Sequence, residues 1–518
     1  MKKYRENAAD SVIFLTAVSA LSQLLSFGYR VAMSRMVGAE VMGLYQLLMS
    51  AYAVLQSVTM VGLTAAVSNL TSQYLARHNS RGAAKALSCA LGLFFLLLTP
   101  AAAAVLLCSD GISVYLLGDA RTQLGLVLLL PCAALTGVEN LHKHHCYGAG
   151  RVRAPAAVDL AEQCIRAGAV LTLLRLFLPQ YPERAAGLII LGMWVCEVFS
   201  SVTLVVLVRR RRRREGQSGA GESGTVCRRK LMSIALPVGA TALLGNFLGA
   251  ANAALIPQKL VEGGLDRSEA LARFGVVCGM TMPMLAVPTV FLGAVSLVVT
   301  PRLAKAHTLE QGATVRDLTA RTVRTVSLLA LPAMALMAAA GGDLGVMLFR
   351  QEGAGEFIVP LAGVMALCCW ESALNSVLSG VGRQRQVAMV SILSGGVQAA
   401  VTFGTAARLG MAGYVLGAAV SALLGLGLSL YLTAKYTGAR PDWMEWFLMP
   451  GLAALLAGLN ARLLLRVIRD AGVPVLWACL AAMAFGGGVY LAALQAMGIG
   501  RRKGDTIKKR ADKEELRR

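Results

Sequence analysis

Residues 134–151 read ALTGVENLHKHHCYGAGR and residues 366–383 read ALCCWESALNSVLSGVGR. Ala134, Leu135, Glu139, Gly148, Gly150 and Arg151 of the first stretch return in the second as Ala366, Leu367, Glu371, Gly380, Gly382 and Arg383, each 232 positions on. Chance identities of alanine and leucine are common in apolar segments. A shared glutamate followed in register by a shared G-x-G-R end is not. A second pair, AVSNLTSQYLAR (66–77) and AVSLVVTPRLAK (294–305), matches at an offset of 228. The chain therefore reads as one unit written twice.

The composition says what kind of unit. Of 518 residues 56% are hydrophobic and 15% charged, too apolar for an ordinary soluble protein. Continuously apolar runs recur, each near the roughly 20 residues that a helix needs to cross a hydrocarbon core. They do not alternate as barrel strands do. The fold class expected is an all-α polytopic membrane protein with about 14 transmembrane helices: 11–34, 44–68, 84–108, 122–147, 154–178, 186–208, 231–256, 271–299, 320–341, 357–380, 386–407, 411–434, 445–467 and 473–497. The first span resembles a signal peptide in outline, but its repeat-related partner in mid-chain argues that it is retained.

The net charge of +22 invites a nucleic-acid reading until the bases are placed. Counted from a cytoplasmic N-terminus, they gather in the even connections: Arg77, Arg81 and Lys85; Arg151 and Arg153; the run 209–214 with Arg228, Arg229 and Lys230; Arg302 and Lys305; Arg383 and Arg385; Lys435 and Arg440. Odd connections are poorer in base and carry acids beside it. This positive-inside pattern places both termini in the cytoplasm, with an even helix count. It gives the bases anionic membrane lipid as a partner, and with no interleaved aromatics to stack bases it leaves no role for nucleic acid. The eleven cysteines lie mostly in apolar spans and read as small apolar residues.

The resulting organisation is an N-terminal lobe of helices 1–6 (1–208), a basic cytoplasmic linker (209–230), a C-terminal lobe of helices 7–12 (231–434), an added pair of helices (435–499) and a basic cytoplasmic tail (500–518). Six helices separate the copies, so both start on the same side, as in pseudo-symmetric transporters whose lobes enclose a central cavity. The copy also judges the histidines. On a helix His142, His145 and Cys146 share one face, as a metal site would want, yet the matching positions are Leu374, Val377 and Leu378. No metal and no cofactor is expected. Glu139 is in position to pair with Lys143 at i+4, and Gly148 and Gly150 to end the helix.

Charge and proline deep in the spans point to function. A charge at mid-membrane costs roughly 2.5–3.5 kcal/mol on insertion scales, so those kept there are candidates for a role. Arg30 and Arg35 lie in the outer part of the first span, against the positive-inside bias, and a guanidinium suits phosphate. The seventh span and its outer end carry Asn246, Asn252 and Lys259, with Pro237 and several glycines to let it bend; Pro283 and Pro288 predict a kink in the eighth.

The stretches LPVGAT (236–241), IPQKL (256–260) and RFGVVCGMTMPMLAVPTVFLGAVSLVVTPRLAKA (273–306), with GYRVAMSRMVGAEVMGLYQLLMSAY (28–52) and VGLTAAVSNLTSQYLA (61–76), resemble the stage V sporulation protein B branch of oligosaccharide flippases, in the superfamily that also holds the MurJ lipid II flippases and the MATE drug exporters. The resemblance spans helices 1–12. It implies a monomeric transporter, not an enzyme, that moves an undecaprenyl-diphosphate-linked oligosaccharide such as a peptidoglycan precursor from inner to outer leaflet, in cell-wall or spore-cortex synthesis. It implies that Arg30 and Arg35 face the cavity and engage the diphosphate, and that helices 13 and 14 form a groove for the lipid tail.

Two family features are missing. The further arginine of the second helix is absent from a stretch that holds Tyr45, Gln46, Tyr52 and Gln56, and helices 7, 11 and 12 lack the acids of the family's sodium site. Membrane potential or protons are the drives left open. A MATE-like drug exporter is the rival within the fold, disfavoured by the sign of the charge in helix 1. An enzyme would need a motif such as H-E-x-x-H or G-x-S-x-G, and a scaffold would need no cavity charge.

Overall fold

The structure is a computed structural model that describes residues 2–215, 219, 223–439 and 441–498. The tail 500–518 and part of the linker lie outside the described residues, among which there are helices and turns but no strand. Among the described residues, twelve helices are long and apolar enough to cross a membrane, which makes the chain a multi-pass membrane protein. One of the twelve, Ala17–Ala76, has 60 residues, about 90 Å at 1.5 Å per residue and enough for two crossings. The predicted fifth span is a helix too charged to count among them. With it, and with the long stretch taken twice, the total is about fourteen.

The described residues fall into two compact units, one within Met1–Ala294 and Arg385–Gly425, the other within Val295–Gln384 and Leu426–Arg518. The first unit holds α1 (Lys2–Gln56), α2 (Gly62–Ala76), α3 (Ser80–Leu107), α4 (Thr122–Gly148), α5 (Arg153–Phe177), α6 (Ala185–Glu215), α7 (Gly224–Glu262) and α8 (Arg267–Thr289). The remaining helices are α9 (Phe291–Thr308), α10 (Gly312–Phe349), α11 (Ile358–Gly380), α12 (Gln384–Leu409), α13 (Met411–Thr437), α14 (Met444–Asp470) and α15 (Val475–Ala496); of these, α12 from Arg385 on and α13 as far as Gly425 also belong to the first unit.

Two predicted boundaries move. The first two spans are not separated by a loop: α1 runs through both, broken only at Gly38, whose φ of 77° an L side chain rarely adopts. The single span predicted over 271–299 is two helices, because a 3₁₀ turn over Val287–Thr289 carrying Pro288 ends α8. Proline supplies no N–H to continue the ladder. Pro283 lies just inside the helical segment Met282–Ala286, and α7 stays helical through Pro237.

Lipid tails are as apolar as leucine, so membrane helices associate through close backbone approach at small residues rather than through apolar burial. The tightest such crossing is reciprocal. A Cβ added at Gly43 of α1 would collide with the Leu271 carbonyl oxygen of α8, and one at Gly275 of α8 with the Ala39 carbonyl oxygen of α1. Gly43 and Gly275 are 232 positions apart, as are Ala39 and Leu271. The two halves of the repeat thus meet each other through one patch used twice.

The same offset governs the turns. The amide of Arg151 donates to the Cys146 carbonyl at 2.9 Å and that of Arg383 to Leu378 at 2.8 Å, around Gly150 and Gly382 with φ of 71° and 77°. Asn79 donates to Tyr74 at 2.9 Å and Gln311 to Ala306 at 3.0 Å, around His78 and Glu310 with φ of 53° and 55°. Both pairs are helix ends closed by a left-handed residue. The second corrects the offset of 228 read for this stretch. The slip is four residues, about one helical turn, so it kept the same face and the same apolar pattern. Packing agrees: Gly148 abuts the Ser68 carbonyl, and Gly380 lies 3.1 Å by its would-be Cβ from that of Thr300.

Replacing Gly43 or Gly275 by leucine is expected to lower stability by at least about 1–3 kcal/mol, the usual range for overpacking. Thermal unfolding of the detergent-purified protein checks it, with Gly28→Leu, which has open space around it, as the silent control.

Candidate functional site

The deep charges of the first unit converge on a cavity of about 530 Å³ between α1, α4, α5 and α6. Its floor is an ion network. Lys143 Nζ lies 2.9 Å from a Glu139 carboxylate oxygen and 2.7 Å from one of Asp159. Arg166 pairs with Glu162 one turn before it and reaches Glu197 of α6 at 3.3 Å. Tyr52 donates to Thr136 at 2.8 Å, and Thr136 donates to Glu197 at 2.6 Å, while Ser200 donates to Glu139 at 3.0 Å. Glu139, Glu162 and Glu197 are buried. The Glu139–Lys143 pair expected from spacing is present. Lys143 is shared with Asp159, a partner 16 residues on that spacing on one helix does not reach.

Four acids against two bases leave the cavity formally two negative charges in excess. Breaking a buried pair strands an uncompensated charge, at about 3–5 kcal/mol. Carboxylate oxygens of Glu139, Asp159 and Glu162, and of Glu162 and Glu197 with the Cys196 sulfur, lie within 4.8 Å of one another. Lys143 and Arg166 sit on those same oxygens, so the cluster is first of all an ion-pair network. At the offset of 232, Asp159, Glu162, Arg166 and Glu197 are matched by Ser391, Ser394, Gln398 and Ser429. The first copy alone holds this charge.

Arg30 sits on α1 one turn beyond Ser26, on the face whose Ser19, Ser22, Gln23 and Ser26 line the cavity. It is half-buried, and its Nη1 is buried with no hydrogen-bond acceptor among the described residues. Arg35 is exposed. Tyr45, Tyr52 and Gln56, standing where the resembled family has an arginine, line the cavity.

The other expected residues are elsewhere. Asn246 and Asn252 line a separate pocket of about 380 Å³ with Gln46, Ser50, Cys278 and Tyr414. Asn246 donates to the Ala53 carbonyl at 3.3 Å, whereas Asn252 Oδ1 and Gln46 Oε1 are buried without a donor. Lys259 pairs with Glu262 at 2.5 Å and lies 4.0 Å over the Phe403 ring. Glu371 faces a polar pocket of about 440 Å³ in the second unit, with Ser296, Thr300, Asn375 and Ser376. That unit also holds a feature not expected from sequence, a pocket of about 300 Å³ where Arg462, Arg466 and Arg469 of α14 meet Asp343, which pairs with Arg469.

Helix α4 separates the histidine cluster from the cavity. Lys143 and Tyr147 turn to the acids, while His142, His145 and Cys146 turn the other way. His142 Nδ1 donates to the Val138 carbonyl at 2.7 Å, and His145 Nδ1 lies 3.0 Å from the Thr71 hydroxyl. Among the described residues these three belong to no group of metal-type donors.

A second ion cluster lies off the spans. Asp119, in the turn before α4, receives Arg121 at 3.0 Å and Arg267 at 3.4 Å, and Arg121 also reaches Glu40 at 2.7 Å. Gln258 donates to the Leu116 carbonyl at 3.2 Å. Burial pushes the Asp119 carboxyl up, but its bonds to Arg121 and the charge of Arg267 outweigh this and hold it below its ordinary value. A depressed carboxyl stabilises the fold above its unfolded value and loses that contribution as pH falls through the folded one. The cluster therefore persists at neutral pH.

A family model described as polysaccharide biosynthesis protein matches residues 8–307. The chain belongs to this family. It is 22% identical over 436 residues to stage V sporulation protein B of Bacillus subtilis (strain 168), covering 83% of each chain. The likeness read from the α7–α8 motif is thus found. Among solved structures, the lipid II flippase MurJ in an inward closed conformation superposes with a TM-score of 0.72 at 11% identity, over 96% of this chain and all of that one. An inward-facing multidrug resistance MATE family transporter of the MOP superfamily gives 0.63 at 14% identity, over 83% of this chain and all of that one. The fold is theirs.

For this member of the polysaccharide biosynthesis family, Arg166→Met is expected to lower stability by about 3–5 kcal/mol by stranding Glu162 and Glu197. Adding Glu162→Gln should recover part of that loss. Thermal unfolding of the single and double variants measures both.

Proposed function

We propose that the chain is an alternating-access flippase that moves an undecaprenyl-diphosphate-linked oligosaccharide from the inner to the outer leaflet of the bacterial cytoplasmic membrane, for cell-wall or spore-cortex assembly. Lobes 1–208 and 231–434 are the moving parts, residues 435–499 form the flank for the lipid tail, and both termini are cytoplasmic. The names of the relatives support a lipid-linked substrate. The observation that carries the reading is Arg30: a buried guanidinium nitrogen without an acceptor is costly, and a diphosphate supplies charged oxygens in fork geometry. Asn252 and Gln46 offer acceptors without donors, the complement of glycan hydroxyls. The reciprocal Gly43–Gly275 crossing gives two related halves a common pivot.

In this mechanism the acid network takes the driving cation. Even with Arg30 counted as a third base, one carboxyl group is in surplus and needs a proton or another cation before the cavity closes to water. Inward movement of that cation and outward movement of the anionic lipid both carry positive charge inward, so an inside-negative membrane potential drives the exchange. The Asp119–Arg267 cluster is the latch on the outer side, since positive-inside counting puts Glu40, Asp119 and Arg267 outside.

The acid excess also favours a second reading, export of cationic compounds as in MATE proteins. In reconstituted vesicles the flippase translocates a fluorescent lipid-linked precursor and leaves an organic cation such as ethidium behind. Arg30→Ala is expected to cut lipid translocation at least tenfold at unchanged expression, with Arg30→Lys intermediate because one ammonium lacks the fork. Lipid transport undiminished by Arg30→Ala would refute the cavity-cation role. Asp119→Asn is expected to open the outer side, read as faster labelling of Ser50→Cys by a membrane-impermeant maleimide in a background freed of exposed native cysteines.

A further inference from the structure

The face of α4 that carries His142, His145 and Cys146 is one wall of a pocket of about 410 Å³ that shares no lining residue with the cavity of Glu139 and Lys143. Its other walls are α3 and the end of α6. One half is apolar, with Ala84, Leu87, Leu91 and Phe95 of α3 against Val205 and Val208 of α6. The other half is basic: Arg151 just past α4, and Arg209, Arg211 and Arg212 of α6. No acid is among the lining residues. Phe95 is 45% exposed and Leu96 67%, so α3 turns its apolar surface outward beside the pocket, as a lipid-facing helix does.

We infer that this pocket is a binding site for an anionic glycerophospholipid of the cytoplasmic leaflet, its phosphate among the arginines and the upper part of its acyl chains against α3. Charge complementarity selects the head: four guanidiniums converge at the end of the spans, where positive-inside counting places the cytoplasmic interface. Basic pockets between transmembrane helices on that side are the usual lodging of anionic headgroups. The apolar half selects a lipid over a free anion, because inorganic phosphate gains nothing from Leu87, Leu91 or Phe95. Not all of the arginine run takes part: Arg210, Arg213 and Arg214 do not line the pocket, which separates a built site from the diffuse attraction of a basic segment. The occupant rests against the back of the helix whose front holds Glu139 and Lys143. Binding there therefore braces the α4 side of the ion network.

Full-length protein in neutral detergent is titrated with phosphatidylglycerol, phosphatidylcholine and inorganic phosphate, with retained lipid counted by native mass spectrometry and stability followed by thermal unfolding. Phosphatidylglycerol is expected to bind about tenfold tighter than phosphatidylcholine, whose phosphate offers the same hydrogen bonds but whose choline ammonium the arginines repel, and to raise the unfolding midpoint. Inorganic phosphate should leave the midpoint unchanged. Arg209→Gln/Arg211→Gln should abolish the preference, while Arg210→Gln/Arg213→Gln/Arg214→Gln, which removes more charge from the same run, should keep it. Leu91→Trp, which fills the apolar half and keeps every arginine, should expel the lipid even if the arginine variant folds poorly. Equal binding of the two lipids, equal loss in both arginine variants, or a phosphate response as large as that of phosphatidylglycerol would each overturn the site.

Discussion

The two copies of the repeat meet in the first unit where α1 and α8 cross. Gly43 and Gly275 each let the other helix bring a carbonyl oxygen to where a side chain would begin. A crossing this close gains dispersion along the backbone and brings Cα–H groups near carbonyls, which is how helices hold together where water offers no hydrophobic drive. Because the two contacts are copies, 232 positions apart, the crossing is self-complementary, as a two-fold interface is. A duplicated sequence needs only one such patch to bind to itself.

The two copies share backbone geometry far more than chemistry. Helix ends repeat to the residue, down to the left-handed positions after α2, α4, α9 and α11. The charges do not: Asp159, Glu162, Arg166 and Glu197 become serines and a glutamine. Folding constraints act on the turns and small residues of both copies alike, whereas an ion network is expensive wherever it is buried. Keeping it in one copy limits the cost and leaves the repeat chemically lopsided, with this ion network in one half alone.

The fold was legible because its signals are local. Apolar runs, the even-numbered basic connections, Glu139 with its glycines and the proline at 288 each act within one or two turns of chain. The offset of 228 for the shorter match shows the limit of such reading, since sliding a helix by one turn leaves its apolar face in place. The site was only half legible. Arg30 stood out as a lone charge against the positive-inside bias, and the structure leaves its Nη1 without an acceptor. The network of Lys143 with Asp159 and of Arg166 with Glu197 joins α4 to α5 and α5 to α6, and no periodicity along one helix announces a pairing across two. A signal was present all the same: Glu197 is a lone acid inside an apolar run, MWVCEVFSS, of residues 193–201. Lys259, read at the outer end of the seventh span, is already occupied by Glu262 and Phe403.

The histidine cluster was conspicuous for the wrong reason. Three imidazoles and a thiol within five residues suggest a metal, but a helix distributes neighbours around its circumference, and here it sends Lys143 to an acidic cavity and His142, His145 and Cys146 to a basic pocket. A helix with opposite fields on its two sides is held in place by both. Moving the α4 end toward the pocket would take Lys143 from Glu139 and Asp159, and moving it toward the cavity would take His145 from Thr71. The second copy has leucine and valine on this face, and its front keeps Glu371 but has Asn375 in place of Lys143.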